Sequence, residues 1–420
     1  MALRACLPAR LGLWLRFPSN DRDPALQSSA RAPLVLPHEI LTGLLVTLVG
    51  YASSGAIVIR GLANVGANEG EIVSAMVGLA IALLILAVGL SAWTRMPISI
   101  AWSTPGMVLL ATVGVGAGGF PAAVGAFVTT GLLIAASGMF EPLGRLVAAI
   151  PKPIANAMLA GVLLKFCVAP FVGLAKMPFE IGAIVVTWVV LMRFAQLWAA
   201  AAAAAVALAL MAFGGQGAFD GLAFAWPRPV LIAPVFDLET TISIALPLFL
   251  VTMASQNIPG YAVIGTFGYR PPFRPLLVAT GFVSALLAPL GMPVVNLAAL
   301  TAALAAGDEA GPDRSRRWIV ASIGGLGHGL FGVFAVVAVA LVMRSSPQLI
   351  EAAAGLALVG AFGGATKAAL EVEEDRIPAL VTFLVAASGL SFHGVGSAFW
   401  ALVAGLAVHI LAKWKPDAKS

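Results

Sequence analysis

Met96-Pro97-Ile98-Ser99-Ile100-Ala101-Trp102-Ser103-Thr104-Pro105-Gly106 is apolar, yet it opens on a proline and carries β-capable residues where a plain membrane helix would continue. Met292-Pro293-Val294-Val295-Asn296-Leu297-Ala298-Ala299-Leu300-Thr301 repeats this character 196 residues later. The same offset pairs Pro151 with Pro347, Ile154 with Ile350 and Phe166 with Phe362. One register across three separated segments points to a duplicated chain. Proline removes a backbone donor and disfavours helix in the residue before it. Each stretch is therefore expected to run extended, over 98–101 and 294–297, and then to start a half-helix near 103–106 and 298–301. The competing reading is a pair of proline-kinked helices.

Composition sets the environment. The 420 residues are 60% hydrophobic and 10% charged, with mean hydropathy +1.00. Soluble domains carry about 25% charge, so this chain belongs in a bilayer. Long Ala/Leu/Val runs without period-2 alternation favour helices over a barrel. Two cysteines, Cys6 and Cys167, form no disulfide framework and no metal spacing. The histidines are scattered, and no glycine-rich loop ends in Lys-Ser/Thr. The expectation is therefore no enzyme, no cofactor, no metal and no nucleic-acid partner.

Breaks marked by charge, Gly or Pro divide the chain into an N-terminal tail (1–35), a first repeat (36–213), a connector (214–238), a second repeat (239–412) and a C-terminal tail (413–420). The expected spans are 38–60, 70–92, 97–114, 119–139, 152–173, 178–193 and 195–213, then 239–266, 274–290, 293–307, 317–343, 347–366, 377–391 and 394–412. The expected fold is an all-α polytopic membrane protein of fourteen segments in a 7+7 inverted repeat. Spans three and ten would be half strand-like and half helix.

Charge supports this layout. Nineteen of the 24 Lys and Arg residues fall on the face that holds both termini, and four fall on the other. The positive-inside rule then places both termini in the cytoplasm and the chain in the inner membrane. An odd number of crossings per half makes the halves inverted, so the two half-helix N-termini converge. Their unpaired N–H groups and positive dipole ends favour an anion.

A third break is expected at Ser255-Gln256-Asn257-Ile258-Pro259-Gly260, inside the eighth span. Its counterpart in the first span is Tyr51-Ala52-Ser53-Ser54-Gly55. Amides at membrane depth must face partners or water. Gln256 and Asn257 are thus read either as substrate contacts or as partners for backbone carbonyls freed by Pro259. The candidate substrate residues are Tyr51, Ser53, Ser99, Trp102, Ser103, Thr104, Gln256, Asn257, Asn296, Leu297 and Ala298.

Phe249-Leu250-Val251-Thr252-Met253-Ala254-Ser255-Gln256-Asn257-Ile258-Pro259-Gly260, together with 291–299 and 151–161, resembles the benzoate/proton symporter (BenE) family. The resemblance runs from about residue 35 to 412. More distantly the chain is similar to uracil/xanthine permeases and sulfate-type anion transporters. The resemblance implies a core domain (spans 1–4 and 8–11) moving against a gate domain (spans 5–7 and 12–14). It also implies symport of a small aromatic carboxylate with protons. The uracil permeases carry a carboxylate near the position of Gln256, and a neutral amide there is the better neighbour for an anion.

A benzoate-like ligand needs an anion site and a flat apolar slot, for which Tyr51, Trp102, Phe249 and Tyr261 are the candidate aromatics. Proton coupling needs a titratable group. His328, in a glycine-rich stretch of span 11, and Glu239 are the candidates. Lys165 is the single cation inside a span. Glu39 and Glu239 open the first span of each repeat and are read mainly as helix-dipole partners. The acidic run 371–375 is read as solvated. Expected partners are the carboxylate, protons and the bilayer, with a second copy of the chain left open. The alternative is a permease or channel for another small planar solute or anion on the same fold.

Overall fold

The computed structural model describes residues 35–116, 118–140, 150–213, 224–298, 300–390, 392 and 397–413, apart from the side chains of Ala52, Ser53, Leu197 and Leu300. Most of both tails, residues 214–223 of the connector and the Ser53 side chain therefore lie outside the described residues.

The first part of the chain forms α1 (Pro37–Asn64), α2 (Glu69–Thr94), β1 (Ile100–Trp102), α3 (Thr104–Val113), α4 (Gly119–Met139), α5 (Lys152–Gly173), α6 (Pro178–Phe194) and α7 (Gln196–Phe213). The second forms α8 (Leu238–Thr266), α9 (Phe273–Leu290), β2 (Val295–Leu297), α10 (Leu300–Ala306), α11 (Arg317–Val333), α12 (Ala335–Arg344), α13 (Pro347–Leu370), α14 (Arg376–Ala387) and α15 (Ser397–Lys413). Each expected span has a counterpart within a few residues, because apolar run length and polar punctuation set both ends of a membrane helix. Local chemistry marks the ends. Asn68 and Glu71 form a capping box at the start of α2, with bonds of 3.0 and 2.8 Å. Arg95 ends that helix in the left-handed region, φ 55°, just before Met96-Pro97.

Among the described residues, seven helices are long and apolar enough to cross a bilayer, and α11 with α12 makes an eighth candidate bent by 66°. The ten residues of α3 span about 15 Å, half the hydrocarbon thickness. Many bulky side chains on the helices face outward, among them Ile85, Leu132, Val186, Phe282 and Leu286. Lipid is the solvent that suits such a surface.

β1 and β2 lie antiparallel, with Ile100 opposite Leu297, Ala101 opposite Asn296 and Trp102 opposite Val295. Both expected extended stretches thus exist, and each finds its partner in the other. The strands are buried, and α3 and α10 start directly after them, at residues 104 and 300. Around this pair, α4 packs on α9, α2 on α11, and α1 on both α3 and α11. A second group forms where α5 packs on α13 and α14, α14 on α15, α6 on α7 and α7 on α13.

Several expectations need correction. The eighth span does not break at 255–260. It stays helical and widens into π-helical turns at Thr241–Ala245 and Met253–Asn257. Pro259 has no N–H to donate, and a π-turn absorbs that loss without ending the helix. The eleventh span is not straight, because it bends at Phe334. Connector residues 224–237 are tied to the helices beside them. Val230 exchanges hydrogen bonds with the Ser74 hydroxyl (2.8 and 2.9 Å), Ile232 N–H donates to Pro289 O (2.7 Å) and Val235 N–H to Pro121 O (3.0 Å).

Two charged groups also differ from their sequence reading. Glu39 does more than face a helix dipole. It is 1% exposed and holds Arg316 in a two-point ion pair, with Nε–Oε1 at 2.7 Å and Nη2–Oε2 at 3.0 Å. This hydrogen-bonded carboxylate holds the Arg316 guanidinium above its ordinary pKa. Asp375 is not solvated. It is buried, with His409 Nδ1 at 2.9 Å and Lys413 Nζ at 3.7 Å.

Candidate functional site

Ser103 caps α3. Its hydroxyl accepts from Gly106 N–H (3.2 Å) and from the Thr252 hydroxyl (2.8 Å), which ties the start of α3 to α8. A Cβ on Gly106 would press on Leu248 Cδ1 and on the Ser103 hydroxyl, so glycine gives the cap room. The opposite strand is tied to the same helix. Leu297 N–H donates to Asn257 Oδ1 (3.0 Å), and the Asn257 amide donates to Met253 Sδ (3.3 Å). A Cβ on Gly260 would lie 3.0 Å from Leu297 Cβ and O, so glycine lets α8 lie against β2. The π-turn of α8 and its flank therefore tie the start of α3, through Thr252, to β2, through Asn257.

Asn257 is thus spent on the Leu297 N–H and the Met253 thioether, and not on a carbonyl freed by Pro259. Asn296 is fully buried. Its Nδ2 donates to Leu297 O (2.8 Å), and its Oδ1 has no partner among the described residues. Ser99 bonds Thr301 through their hydroxyls (2.7 Å), and its carbonyl accepts Ala298 N–H (3.0 Å). Ser99, Leu297 and Ala298 are buried at the strand pair. Gln256 is partly exposed, and its amide makes no hydrogen bond to a described residue.

On the α1 side, Ser54 is the centre. Its hydroxyl accepts from Trp102 Nε1 (2.9 Å) and from the Thr104 hydroxyl (3.1 Å). Trp102 is 2% exposed. Its ring lies edge-on to Tyr51 at 5.0 Å and to His328 at 6.0 Å. Tyr51 also stacks on Phe331, with centroids 4.5 Å apart and planes at 15°. His328 Nδ1 sits 2.7 Å from Gly324 O. A carbonyl only accepts, so Nδ1 carries the hydrogen and Nε2 holds the lone pair in the neutral ring. Tyr51, Ser54 and Phe331 line a cavity of about 480 Å³, closed opposite by alanines of α7, among them Ala201, Ala204 and Ala205.

Tyr51, Trp102, Thr104 and His328 are therefore brought together, while Ser103, Asn257, Asn296, Leu297 and Ala298 frame the strand pair beside them. Glu239 stands apart, exposed in the first turn of α8. Phe249 is buried in the core, and Tyr261 packs on Phe273 at 4.7 Å. Sequence reasoning missed Phe331 and did not single out Ser54. The pattern Tyr51-Ala52-Ser53-Ser54 was visible, but nothing in it marks which hydroxyl meets the indole.

Residues 34–411 match the model of the benzoate membrane transport protein family. The chain belongs to that family. It is 38% identical over 369 residues to the inner membrane protein YdcO of Escherichia coli K12, covering 88% of this chain and 94% of that one. It is 32% identical over 381 residues to the benzoate membrane transport protein of Acinetobacter baylyi, covering 89% and 95%. A solved structure of the murine Solute Carrier 26 member A9 anion transporter, in the inward-facing state, shares the fold. Its TM-score is 0.55 at 14% identity, over 91% of this chain and 69% of that one. As a benzoate transport family member, the protein is a multi-pass membrane transporter and not an enzyme.

Proposed function

We propose that this family member carries benzoate or a related aromatic carboxylate across the inner membrane together with protons. The observation that carries this reading is the β1–β2 pair. Antiparallel strands that each lead straight into a helix give α3 and α10 a common origin. Helix starts favour negative charge by up to about 2 kcal/mol when partly buried. Tyr51, Trp102 and Phe331 beside them supply the flat apolar face that an aromatic ring requires. Ser103, Thr104, Gln256 and Asn296 then orient the carboxylate, and Ser99 completes the polar surroundings.

The same reading makes α1–α4 with α8–α12 the core and α5–α7 with α13–α15 the gate. It gives fourteen segments as seven plus seven inverted, with cytoplasmic termini. The two packing groups support this division, as do α3 and α10 starting at 104 and 300. His328 is the proton carrier in this scheme. In the neutral ring Nε2 holds the lone pair that would take a proton, and the ring lies beside both Tyr51 and Trp102. Protonation there would reset the aromatic slot.

Benzoate uptake into proteoliposomes should rise with an inward proton gradient and collapse with a protonophore. Uptake indifferent to the gradient would remove the coupling. Thermal stabilisation by uracil and not by benzoate would replace the substrate. Sustained single-channel currents in planar bilayers would replace the carrier with a channel.

A further inference from the structure

A second cavity, of about 400 Å³, lies between α1 and α3 on one side and α5 and α13 on the other. Arg60, Lys165 and Glu351 line it, with Asn64, Phe166 and Ile350. Lys165 lies inside its span, Arg60 and Glu351 stand near the ends of their helices, and the side chains of Lys165 and Glu351 are exposed. Among the described residues, Lys165 and Glu351 each make no ion pair. Arg60 is anchored through Nη2, which donates to Val342 O (3.0 Å) and Ser345 O (3.1 Å). Its Nε is buried and has no partner among the described residues. Two cations and one carboxylate thus surround a space instead of closing on one another, and the balance is positive.

The cavity also has an apolar wall in Phe166 and Ile350. Ile57, Ile350 and Ala354 line both this cavity and the one beside Tyr51 and Phe331, so the two spaces share a wall. A volume of this size lies within the range typical of small-molecule sites.

We propose that Arg60, Lys165 and Glu351 form a second carboxylate-binding site, where the aromatic anion pauses between core and gate before reaching the slot at Tyr51. This rests on the aromatic-carboxylate reading above. The substrate carboxylate engages Lys165 and the guanidinium of Arg60, and its ring lies on Phe166. Glu351 competes with it for the same cations, which keeps binding weak enough for onward passage.

The test is the concentration dependence of benzoate uptake in proteoliposomes at low ionic strength. Lys165→Met should raise KM roughly fivefold or more with Vmax unchanged, since it removes a steering charge from the path. Lys165→Arg should restore KM. Glu351→Gln should lower KM, because the competing carboxylate is gone. A purely structural role would not give shifts of opposite sign. Wild-type KM in Lys165→Met, or equal-direction shifts in the Lys165→Met and Glu351→Gln variants, overturns this site while leaving the transport reading standing. Absence of benzoate uptake by the wild-type protein overturns both.

Discussion

Removing the Ser54 hydroxyl should disable the aromatic slot without emptying it. Ser54 accepts from Trp102 Nε1 at 2.9 Å and from Thr104 at 3.1 Å. In Ser54→Ala the Thr104 hydroxyl can rotate to another acceptor. The indole cannot, because Trp102 is 2% exposed and flanked by Tyr51 and His328. An orphaned buried donor costs about 1–3 kcal/mol, whereas hydrogen bonds between membrane helices average about 0.6 and reach about 1.7. The burial of Trp102 places this bond within the membrane range, at about 1 kcal/mol. Trp102→Phe removes the donor itself, so Ser54→Ala made in that background should cost little more. The double-mutant cycle, read by equilibrium unfolding in mixed micelles, should give a coupling of about 1 kcal/mol. Benzoate KM in Ser54→Ala should rise about fivefold, the equivalent of that energy. Costs that simply add, within about 0.3 kcal/mol, would refute the claim that Ser54 sets the indole.

Gln256→Ala and Asn296→Ala should each weaken uptake while the protein remains folded, checked by transport beside a thermal-shift curve. Asn257→Ala should instead lower the melting temperature, because Leu297 N–H loses its acceptor at a cost of about 1–3 kcal/mol. Glu39→Gln should cost about 2 kcal/mol in unfolding, less than a fully buried pair because Arg316 is 25% exposed. The last prediction concerns pH. Hydrogen bonds from the Thr240 hydroxyl and N–H hold the Asp237 carboxyl below its ordinary pKa. Its contribution is therefore present above the unfolded carboxylate value and lost as pH falls through the depressed folded one. Melting temperature in wild type should fall more steeply on acidification than in Asp237→Asn, and parallel curves would remove Asp237 as the cause.

The ends of the helices were legible from residues alone. A bilayer demands runs of about 20 apolar residues, so Arg95, Lys152 and Arg317 stand where one helix ends or the next begins. Met96-Pro97 and Met292-Pro293 likewise announced backbone that is not helical, since proline removes a donor wherever it stands. The expected break at Pro259 failed for a related reason. A missing donor can be accommodated by a π-turn as well as by a break, and only packing against β2 selects between them. The acidic run failed at Asp375, which the distant His409 and Lys413 draw inward.

Sequence alone therefore determined the membrane setting, the positions of the helices and the two extended stretches, because these follow from solvent, charge and local backbone chemistry. Tertiary structure decided everything that depends on which distant groups meet. It paired Ala101 with Asn296, set Ser54 under the Trp102 indole, laid Tyr51 on Phe331 and gathered Arg60, Lys165 and Glu351 around one space. Those contacts join residues far apart along the chain. No local propensity encodes them, since they exist only once the helices have packed and the burial of polar groups forces each to find its partner.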